Sequence, residues 1–250
     1  MRIRVAHLYP EYLNIYADRG NIAVFDRRAR LRGHELQVDG VSLGDPLVGR
    51  EYDLIYVGGG QDREQALIAA DLAAKADAIR ALVKDGTALL AVCGGYQLLG
   101  RGYLGRDGSF MPGAGLFPHE TVAGERRMIG DVLLDCELEP GDHLAVAGFE
   151  NHAGRTRLDP GAVPLGRVVA GFGNDGESGY EGCRVERAVG TYLHGPLLPR
   201  NPRLADLMLS WALAHALDGE VPELSPLDDR LETTAQAVAA SRARERGGRH

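Results

Sequence analysis

Cys93 ends an apolar run and is followed by two glycines, in the order AVCGGYQLLG from Ala91 to Gly100. This order is typical of a nucleophile elbow, a tight turn between a strand and a helix that exposes the side chain at its apex. Glycine beside the apex relieves the crowding of the strained backbone. A helix N-terminus favours the thiolate form of a nearby cysteine and directs N–H groups toward an oxyanion. We therefore predict a nucleophile for acyl transfer; the alternative is a small buried hydrophobe.

A thiolate nucleophile needs a general base, and histidine can both accept and return a proton at neutral pH. Of the eight histidines, His194 follows a short apolar run in the segment GTYLHGP, residues 190–196. We predict that this run is a strand whose carboxyl end carries the imidazole. His152, in the segment GFENH, is the alternative base, and the other six histidines have ordinary surface, loop, helix or tail contexts.

Three consecutive glycines at residues 58–60 follow another short apolar run, in the order GGGQDREQ. The segment lacks the Lys-Ser/Thr pair of a P-loop and the third glycine of a dinucleotide fingerprint, so we do not expect ATP to bind here. It could instead place a backbone N–H opposite Gly94, so that two donors converge on a substrate carbonyl oxygen. A tight glycine turn without a chemical role is the alternative, and the sequence alone favours neither.

The elements that must position these residues are predicted to alternate between strands and helices. Strands are predicted at four apolar runs, residues 3–8, 36–38, 54–57 and 87–92. Helices are predicted over 21–32, which Gly33 ends, and over 66–83, with Asp62 as N-cap and Gln65 three residues later. The run at 87–92 has no polar alternation, as in a central strand covered on both faces. We predict an α/β sandwich with a mostly parallel central sheet, whose ligands bind at the carboxyl ends of its strands.

The second half of the chain has a different pattern. From about residue 127 to residue 191, short β-type runs alternate with Gly, Pro and Asp, which predicts a mainly β region. A helix is predicted over 202–217, because Pro202 after Asn201 is a typical helix start. We predict that residues 1–217 form the domain. Residues 218–250 are then a linker, an exposed helix over 232–246 and a mobile polar end.

The composition is that of an average globular protein, with 44% hydrophobic and 25% charged residues among 250. A net charge of −7 argues against nucleic acid or an anionic membrane as the main partner. No apolar stretch reaches the roughly 18 residues of a membrane helix, and the first residues lack signal-peptide features. Cys93, Cys136 and Cys183 fit neither a disulfide framework nor a zinc site. We therefore predict a cytoplasmic protein without a bound metal.

Four segments of the chain resemble class I glutamine amidotransferases of the cobyric acid synthase-like branch. They are YVGGGQDREQ, AVCGGYQLLG, GFENHAGRT and GTYLHGPLLPRNP. The CGGYQ and LHGP pieces are shared across the branch. GGGQDREQ together with GFENHAGRT resembles one subgroup, the glutaminase subunits of lipid II isoglutaminyl synthases. The resemblance covers nearly all of residues 1–215.

The resemblance implies a glutaminase with a defined set of catalytic groups. Cys93 would form a thioester with the side chain of L-glutamine, and His194 would act as general acid and base. The backbone amides of Gly60 and Gly94 would form the oxyanion hole.

Substrate recognition follows from the same resemblance. Arg127 would bind the glutamine carboxylate, since a planar guanidinium suits a bidentate partner. Arg126 is the adjacent alternative. Gln97, on the helix after the elbow, would also contact the substrate.

Two positions depart from the pattern of the wider class. Ala91 replaces the first glycine of Gly-x-Cys-x-Gly, a change that adds one methyl group. Pro196 stands where most class I enzymes have a glutamate that orients the histidine. A histidine without an orienting carboxylate is a weaker base. We predict that a carboxylate of a partner subunit completes the site, and Glu150 of this chain is the rival candidate.

The resemblance also implies a partner, a Mur-ligase-like subunit that binds ATP and Mg²⁺. That subunit would activate the D-glutamate α-carboxyl of the lipid II stem peptide and receive ammonia, and no cofactor is expected in this chain. Three alternatives remain: another acceptor such as a corrinoid, a stand-alone cysteine hydrolase of related fold, and a degenerate domain that only regulates a partner.

Overall fold

The structure of the protein is a computed structural model that describes residues 1–15, 19–47, 51–217, 219 and 222–247. Within these residues the chain forms two six-stranded sheets and six α-helices. Buried side chains from both sheets belong to one hydrophobic cluster. No helix in this part of the chain is long and apolar enough to cross a bilayer.

The first sheet carries the motifs that the sequence singled out. In spatial order its strands are β11 (Cys183–Val185), β12 (Ala188–Thr191), β4 (Ala88–Val92), β3 (Leu54–Val57), β1 (Arg2–Leu8) and β2 (Glu35–Val41). All neighbours are parallel except β11 and β12. All five residues of β4 are buried, which confirms the prediction of a central strand in a mostly parallel sheet.

The helices are α1 (Arg19–Arg30), α2 (Asp62–Ala74), α3 (Ala76–Lys84), α4 (Gly94–Leu99), α5 (Pro202–Ala216) and α6 (Arg230–Gly247). The prediction of one helix over 66–83 is wrong, because the chain breaks at Lys75 into α2 and α3. Asp62 is the first helical residue, and Gln61 occupies the N-cap. The Gln65 side chain donates to the Gly60 carbonyl instead of closing a capping box.

The second sheet confirms the predicted β-rich half. In spatial order its strands are β10 (Tyr180–Glu181), β9 (Gly166–Ala170), β7 (His119–Glu139), β5 (Gly102–Leu104) and β6 (Phe110–Pro112), and β8 (Asp142–Leu158) also pairs with β7. Two of the short β-type runs predicted between 127 and 191, at 132–134 and 144–149, lie on the two strands of one long hairpin, β7–β8, of 21 and 17 residues. The hairpin is irregular between Ala123 and Met128, where the register with β8 shifts.

The helix predicted over 232–246 is present as α6, and most of its described side chains are exposed, but one face is buried. This face consists of small side chains, which lets the helix approach the second sheet closely. The buried cluster contains Ala239, Ala240, Ala243, Leu133, Ala147 and Ala170. The domain boundary at residue 217 stays a prediction. The last residues of the predicted mobile end, 248–250, lie outside the described residues.

A group of charged residues ties the chain before α6 to the first half of the fold. Arg28 of α1 is 4% exposed. Its guanidinium donates to both carboxylate oxygens of Asp206 on α5, at 2.6 and 2.7 Å. It also donates to both oxygens of Asp229, at 2.6 and 2.8 Å. Arg32 of the same segment donates to both oxygens of Asp206 as well, at 2.9 and 2.8 Å. Two guanidinium groups therefore pair with two carboxylates from different parts of the chain, and Arg28 contacts both carboxylates.

We predict that Arg28→Met destabilises the fold by about 3 kcal/mol, because Asp229 loses its guanidinium partner and Asp206 keeps only Arg32. The free energy of unfolding from urea titration measures the effect. Arg230→Met is the control, since the Arg230–Asp228 pair has side chains 88% and 63% exposed, and exposed pairs contribute little. Equal effects of the two substitutions would contradict the role of the Arg28 cluster.

Candidate functional site

Cys93 lies at the turn that joins β4 to α4. Its backbone has φ 48° and ψ −104°, and it is the N-cap residue of α4. A positive φ at a residue other than glycine costs about 1–3 kcal/mol and persists where the surrounding structure imposes it. The side chain is 7% exposed. The strand–turn–helix geometry of the predicted elbow is therefore present, and the nucleophilic role of Cys93 stays a prediction.

The backbones of residues 58–60 and of Gly94 and Gly95 lie in close contact beside the elbow. A Cβ atom on Gly94 would lie 2.9 Å from the Gly60 nitrogen and 3.0 Å from the Gly60 oxygen. The Gly95 amide donates to the Gly58 carbonyl at 3.1 Å. Only glycine fits such an approach of two backbones. The backbone of Gly60 thus lies next to that of Gly94, as an oxyanion hole built from both amides requires.

His194 follows β12, the strand beside β4. Thr191 at the end of β12 pairs with Val92, and its carbonyl accepts a hydrogen bond from the Cys93 amide at 2.8 Å. The His194 amide donates to the Phe149 carbonyl of β8 at 2.7 Å. His194 is 1% exposed. Hydrogen bonds to both sheets therefore fix the backbone on which the imidazole is carried.

A cavity of about 530 Å³ contains both Cys93 and His194 in its lining. Three further predicted site residues also line it, Gly60, Gln97 and Arg127. Gly94 follows Cys93 directly but is not among the described residues that line the cavity. The structure thus brings the predicted residues to the carboxyl ends of the central strands, the place where α/β sheets bind ligands.

Arg127 reaches the cavity from the irregular part of β7. Its Nε atom donates to Asn151 Oδ1, and its Nη2 atom donates to the Asn151 carbonyl, both at 2.8 Å. Among the described residues that line the cavity, Arg127 is present and Arg126 is not. The Arg126 carbonyl instead accepts a bond from Arg155 at 2.8 Å. The geometry therefore favours Arg127 over Arg126.

Gln97 is held in the cavity wall by a chain of buried hydroxyl groups. Its Nε2 atom donates to the Tyr192 hydroxyl at 3.1 Å. That hydroxyl lies 2.6 Å from Thr156 Oγ1, which is 2.7 Å from Thr121 Oγ1. Side chains from the second sheet and from the segment after β12 thus hold the Gln97 amide.

His152, the alternative base, also lines the cavity. Its ring stacks on Tyr192, with centroids 3.5 Å apart and an interplanar angle of 6°. Nδ1 lies 2.8 Å from the Gly154 carbonyl, and because a carbonyl can only accept, Nδ1 must donate. Burial lowers the pKa of His152. Its ring is therefore fixed by stacking and by this hydrogen bond, which favours a structural role in the cavity wall.

Glu150, the rival third catalytic group, is fully buried. Its carboxylate accepts hydrogen bonds from the amides of Phe172, at 2.7 Å, and Gly173, at 3.0 Å. Oε2 also lies 3.7 Å from His152 Nε2. These contacts anchor the 172–173 turn and His152, so they give Glu150 a structural task.

Sequence reasoning missed several residues at this site. Asn151 lies inside the segment GFENHAGRT, but nothing in the sequence pattern assigns a role to the asparagine. Ile129 lines the cavity although it is 53% exposed, and no sequence signal marks it. In the described part of the chain, no group of three or more His, Cys, Asp or Glu side chains could hold a metal ion.

Known proteins support the family predicted from the motifs. The family model of the CobB/CobQ-like glutamine amidotransferase domain matches residues 4–202. The lipid II isoglutaminyl synthase (glutamine-hydrolyzing) subunit GatD of Staphylococcus aureus is 34% identical over 241 residues, 96% of each chain. The subunit of the same name from Streptococcus pneumoniae is 40% identical over 213 residues, which cover 85% of this chain and 81% of that protein.

A crystal structure of a glutamine amidotransferase from Thermotoga maritima shares the fold. It matches 99% of both chains with a TM-score of 0.53, at 16% identity. The predicted α/β class I amidotransferase fold and the predicted enzyme class are thereby confirmed. The chain belongs to the CobB/CobQ-like family of class I glutamine amidotransferases.

Proposed function

We propose that this chain is the glutaminase subunit of a lipid II isoglutaminyl synthase, acting in peptidoglycan biosynthesis. It hydrolyses L-glutamine and delivers ammonia to a ligase partner that amidates the D-glutamate of the stem peptide. The observation that carries the proposal is the match to the Staphylococcus aureus subunit along 96% of both chains. The cavity lined by Cys93 and His194 supports it with groups suited to the chemistry.

The reaction begins at the side-chain amide of bound glutamine. The Cys93 thiolate attacks the amide carbonyl carbon and forms a tetrahedral intermediate. The N–H groups of Gly60 and Gly94 stabilise its oxyanion. His194, which holds the proton taken from the Cys93 thiol, transfers it to the leaving nitrogen. The carbon–nitrogen bond breaks, ammonia departs, and the acyl group stays on Cys93 as a thioester.

Hydrolysis of the thioester completes the cycle. His194, now neutral, accepts a proton from water, and the hydroxide formed attacks the thioester carbonyl. The carbon–sulfur bond then breaks and glutamate leaves. The net reaction consumes glutamine and water and releases glutamate and ammonia, and the same imidazole serves as acid in one half and base in the other.

Arg127 binds the α-carboxylate of glutamine in this proposal. Its two hydrogen bonds to Asn151 orient the guanidinium before the substrate arrives. A guanidinium has five N–H groups, so it can keep these bonds and still bind a carboxylate. Gln97 makes a second polar contact with the substrate.

The partner in this proposal is a Mur-ligase-like subunit that binds ATP and Mg²⁺ in the cytoplasm and contributes a carboxylate that orients His194. Pro196 occupies the position at which most class I enzymes carry that acid. Its ring lies where a Cβ atom on Gly20 would meet it at 2.5 Å, so this position packs against α1. An acid supplied by the partner would keep the glutaminase slow until the acceptor site is assembled.

We predict that Cys93→Ser lowers glutaminase turnover by at least ~10³-fold, because loss of the nucleophile leaves only binding and oxyanion stabilisation. In the wild-type protein, 6-diazo-5-oxo-L-norleucine should label Cys93, as seen by mass spectrometry of peptides. Cys183→Ala is the control, since Cys183 is fully buried. Retained activity in Cys93→Ser, or labelling at another residue, would disprove the assignment.

We predict that Arg127→Ala lowers kcat/KM for glutamine by about 10–100-fold, mainly through KM, because a charge-assisted hydrogen bond contributes about 1.5–3 kcal/mol. Steady-state kinetics measure the loss. Arg126→Ala is the matched control and should stay within about twofold of the wild type. The opposite pattern would assign the carboxylate to Arg126.

We predict that the purified chain alone hydrolyses glutamine at least ~10-fold more slowly than it does with its ligase partner, because an unoriented imidazole is a weaker base. Ammonia release is measured with and without the partner. Full activity of the isolated chain would remove the partner carboxylate from the mechanism. Amidation of a corrinoid in place of the stem peptide would change the acceptor and leave the glutaminase chemistry intact.

A further inference from the structure

Glu181 is a fully buried carboxyl group that the proposed reaction does not use. It is the last residue of β10 and pairs with Gly166 of β9 in the second sheet. After Gly182 the chain enters β11, which pairs with β12 in the first sheet. Glu181 therefore lies at the crossing between the two sheets.

The carboxyl group holds the end of β12. Oε1 accepts a hydrogen bond from the Tyr192 amide at 2.6 Å. Both oxygens lie near the Thr191 hydroxyl, at 3.1 and 2.9 Å. That hydroxyl in turn accepts the Leu193 amide at 3.1 Å. One side chain thus fixes, directly or through one hydroxyl, the three residues that precede His194.

Thr191 is also the point of contact with the nucleophile. Its carbonyl accepts the Cys93 amide at 2.8 Å, while its hydroxyl contacts Glu181. The position of the Thr191 backbone relative to β4 therefore sets how the elbow and the His194 segment lie with respect to each other. A shift of the β12 end would therefore change the position of His194 relative to Cys93.

Burial of the Glu181 carboxyl group costs desolvation free energy, which its hydrogen bonds must offset. Burial raises the pKa of Glu181 to about 8. The hydrogen bonds from Tyr192 and Thr191 lower this pKa, and the nearby charge of Glu150 raises it further. An apolar side chain would avoid the desolvation penalty. A buried carboxyl group at this position fits a task that requires a hydrogen-bonding group of this length.

We propose that Glu181 is a positioning residue for the glutaminase reaction, holding Thr191 and Tyr192 so that His194 faces Cys93. The inference rests on the proposed function, since it assigns a task only if these two residues perform the hydrolysis. Glu181 touches neither reacting group and acts through the β12 end.

The test is steady-state glutaminase kinetics of the full chain with its ligase partner, with active sites counted by complete reaction with 6-diazo-5-oxo-L-norleucine. Glu181→Ala should lower kcat per counted site about 10–100-fold, because misplacement by about 1 Å can cost 10²-fold. KM for glutamine should stay within about threefold, since Arg127 is untouched. Glu181→Gln should restore kcat to within about threefold, because the amide has the same length and can bond to both Tyr192 and Thr191.

Two further variants distinguish a loss of kcat caused by misplacement from one caused by lower stability. Thr87→Val removes a buried hydrogen bond from the Thr87 hydroxyl to the Tyr52 carbonyl at 2.9 Å, so it should lower the unfolding midpoint and leave kcat per site unchanged. Thr191→Val removes the hydroxyl that Glu181 holds, and it should reproduce the loss of kcat if Glu181→Ala does not fold.

The outcomes distinguish failure of the positioning role from failure of the proposed glutaminase function. Wild-type kcat per site in Glu181→Ala or Thr191→Val, an equal loss in Thr87→Val, or a loss confined to KM would overturn the positioning role. A wild-type protein that neither hydrolyses glutamine nor reacts with the diazo compound would instead overturn the proposed function.

Discussion

The site depends on the parallel pairing of β4 with β12. Parallel neighbours end at the same edge of a sheet, so the residues that follow them meet there although 101 positions separate Cys93 from His194 in the chain. The hydrogen bond from the Cys93 amide to the Thr191 carbonyl is the last one of this ladder. The pairing of these two strands thus places Cys93 and His194 at one edge of the sheet.

Close backbone packing adds a second constraint. The elbow forces a positive φ on Cys93, and the strain is tolerable because Gly94 and Gly95 lie directly against the 58–60 segment. Any side chain on Gly94 would push this segment away and separate the two amides that are proposed to hold the oxyanion. The strained backbone at Cys93 and the tight packing at Gly94 therefore depend on each other. The edge of the sheet fixes both the elbow and the 58–60 segment.

Much of the fold and the centre of the site could be predicted because their signals are local. Neighbouring residues alone are enough to predict the strands and turns at the site. The signals are the apolar run before Cys93, the glycines after it and the apolar run before His194. The break at Lys75 left no such trace, since strong helix formers surround it. The burial of α6 also escaped prediction, because its alanines gain an apolar partner only from strands far away in sequence. Asn151 and Glu181 were missed for the same reason: each acts on residues that a different element supplies.

The part of the site around Cys93 and His194 is buried and fixed by hydrogen bonds, whereas the part around Arg127 is exposed. Cys93 and His194 are nearly fully buried and their backbones are bonded to strands of both sheets. Arg127 lies on the exposed, irregular part of β7, and Ile129 beside it leaves half of its side chain accessible. Preorganised groups lower the cost of reaching a transition state, whereas an accessible rim leaves room for another surface to complete recognition. In the proposed function, the buried part of the site would carry the bond-breaking chemistry, and the exposed side of the cavity would remain for the subunit that consumes the ammonia.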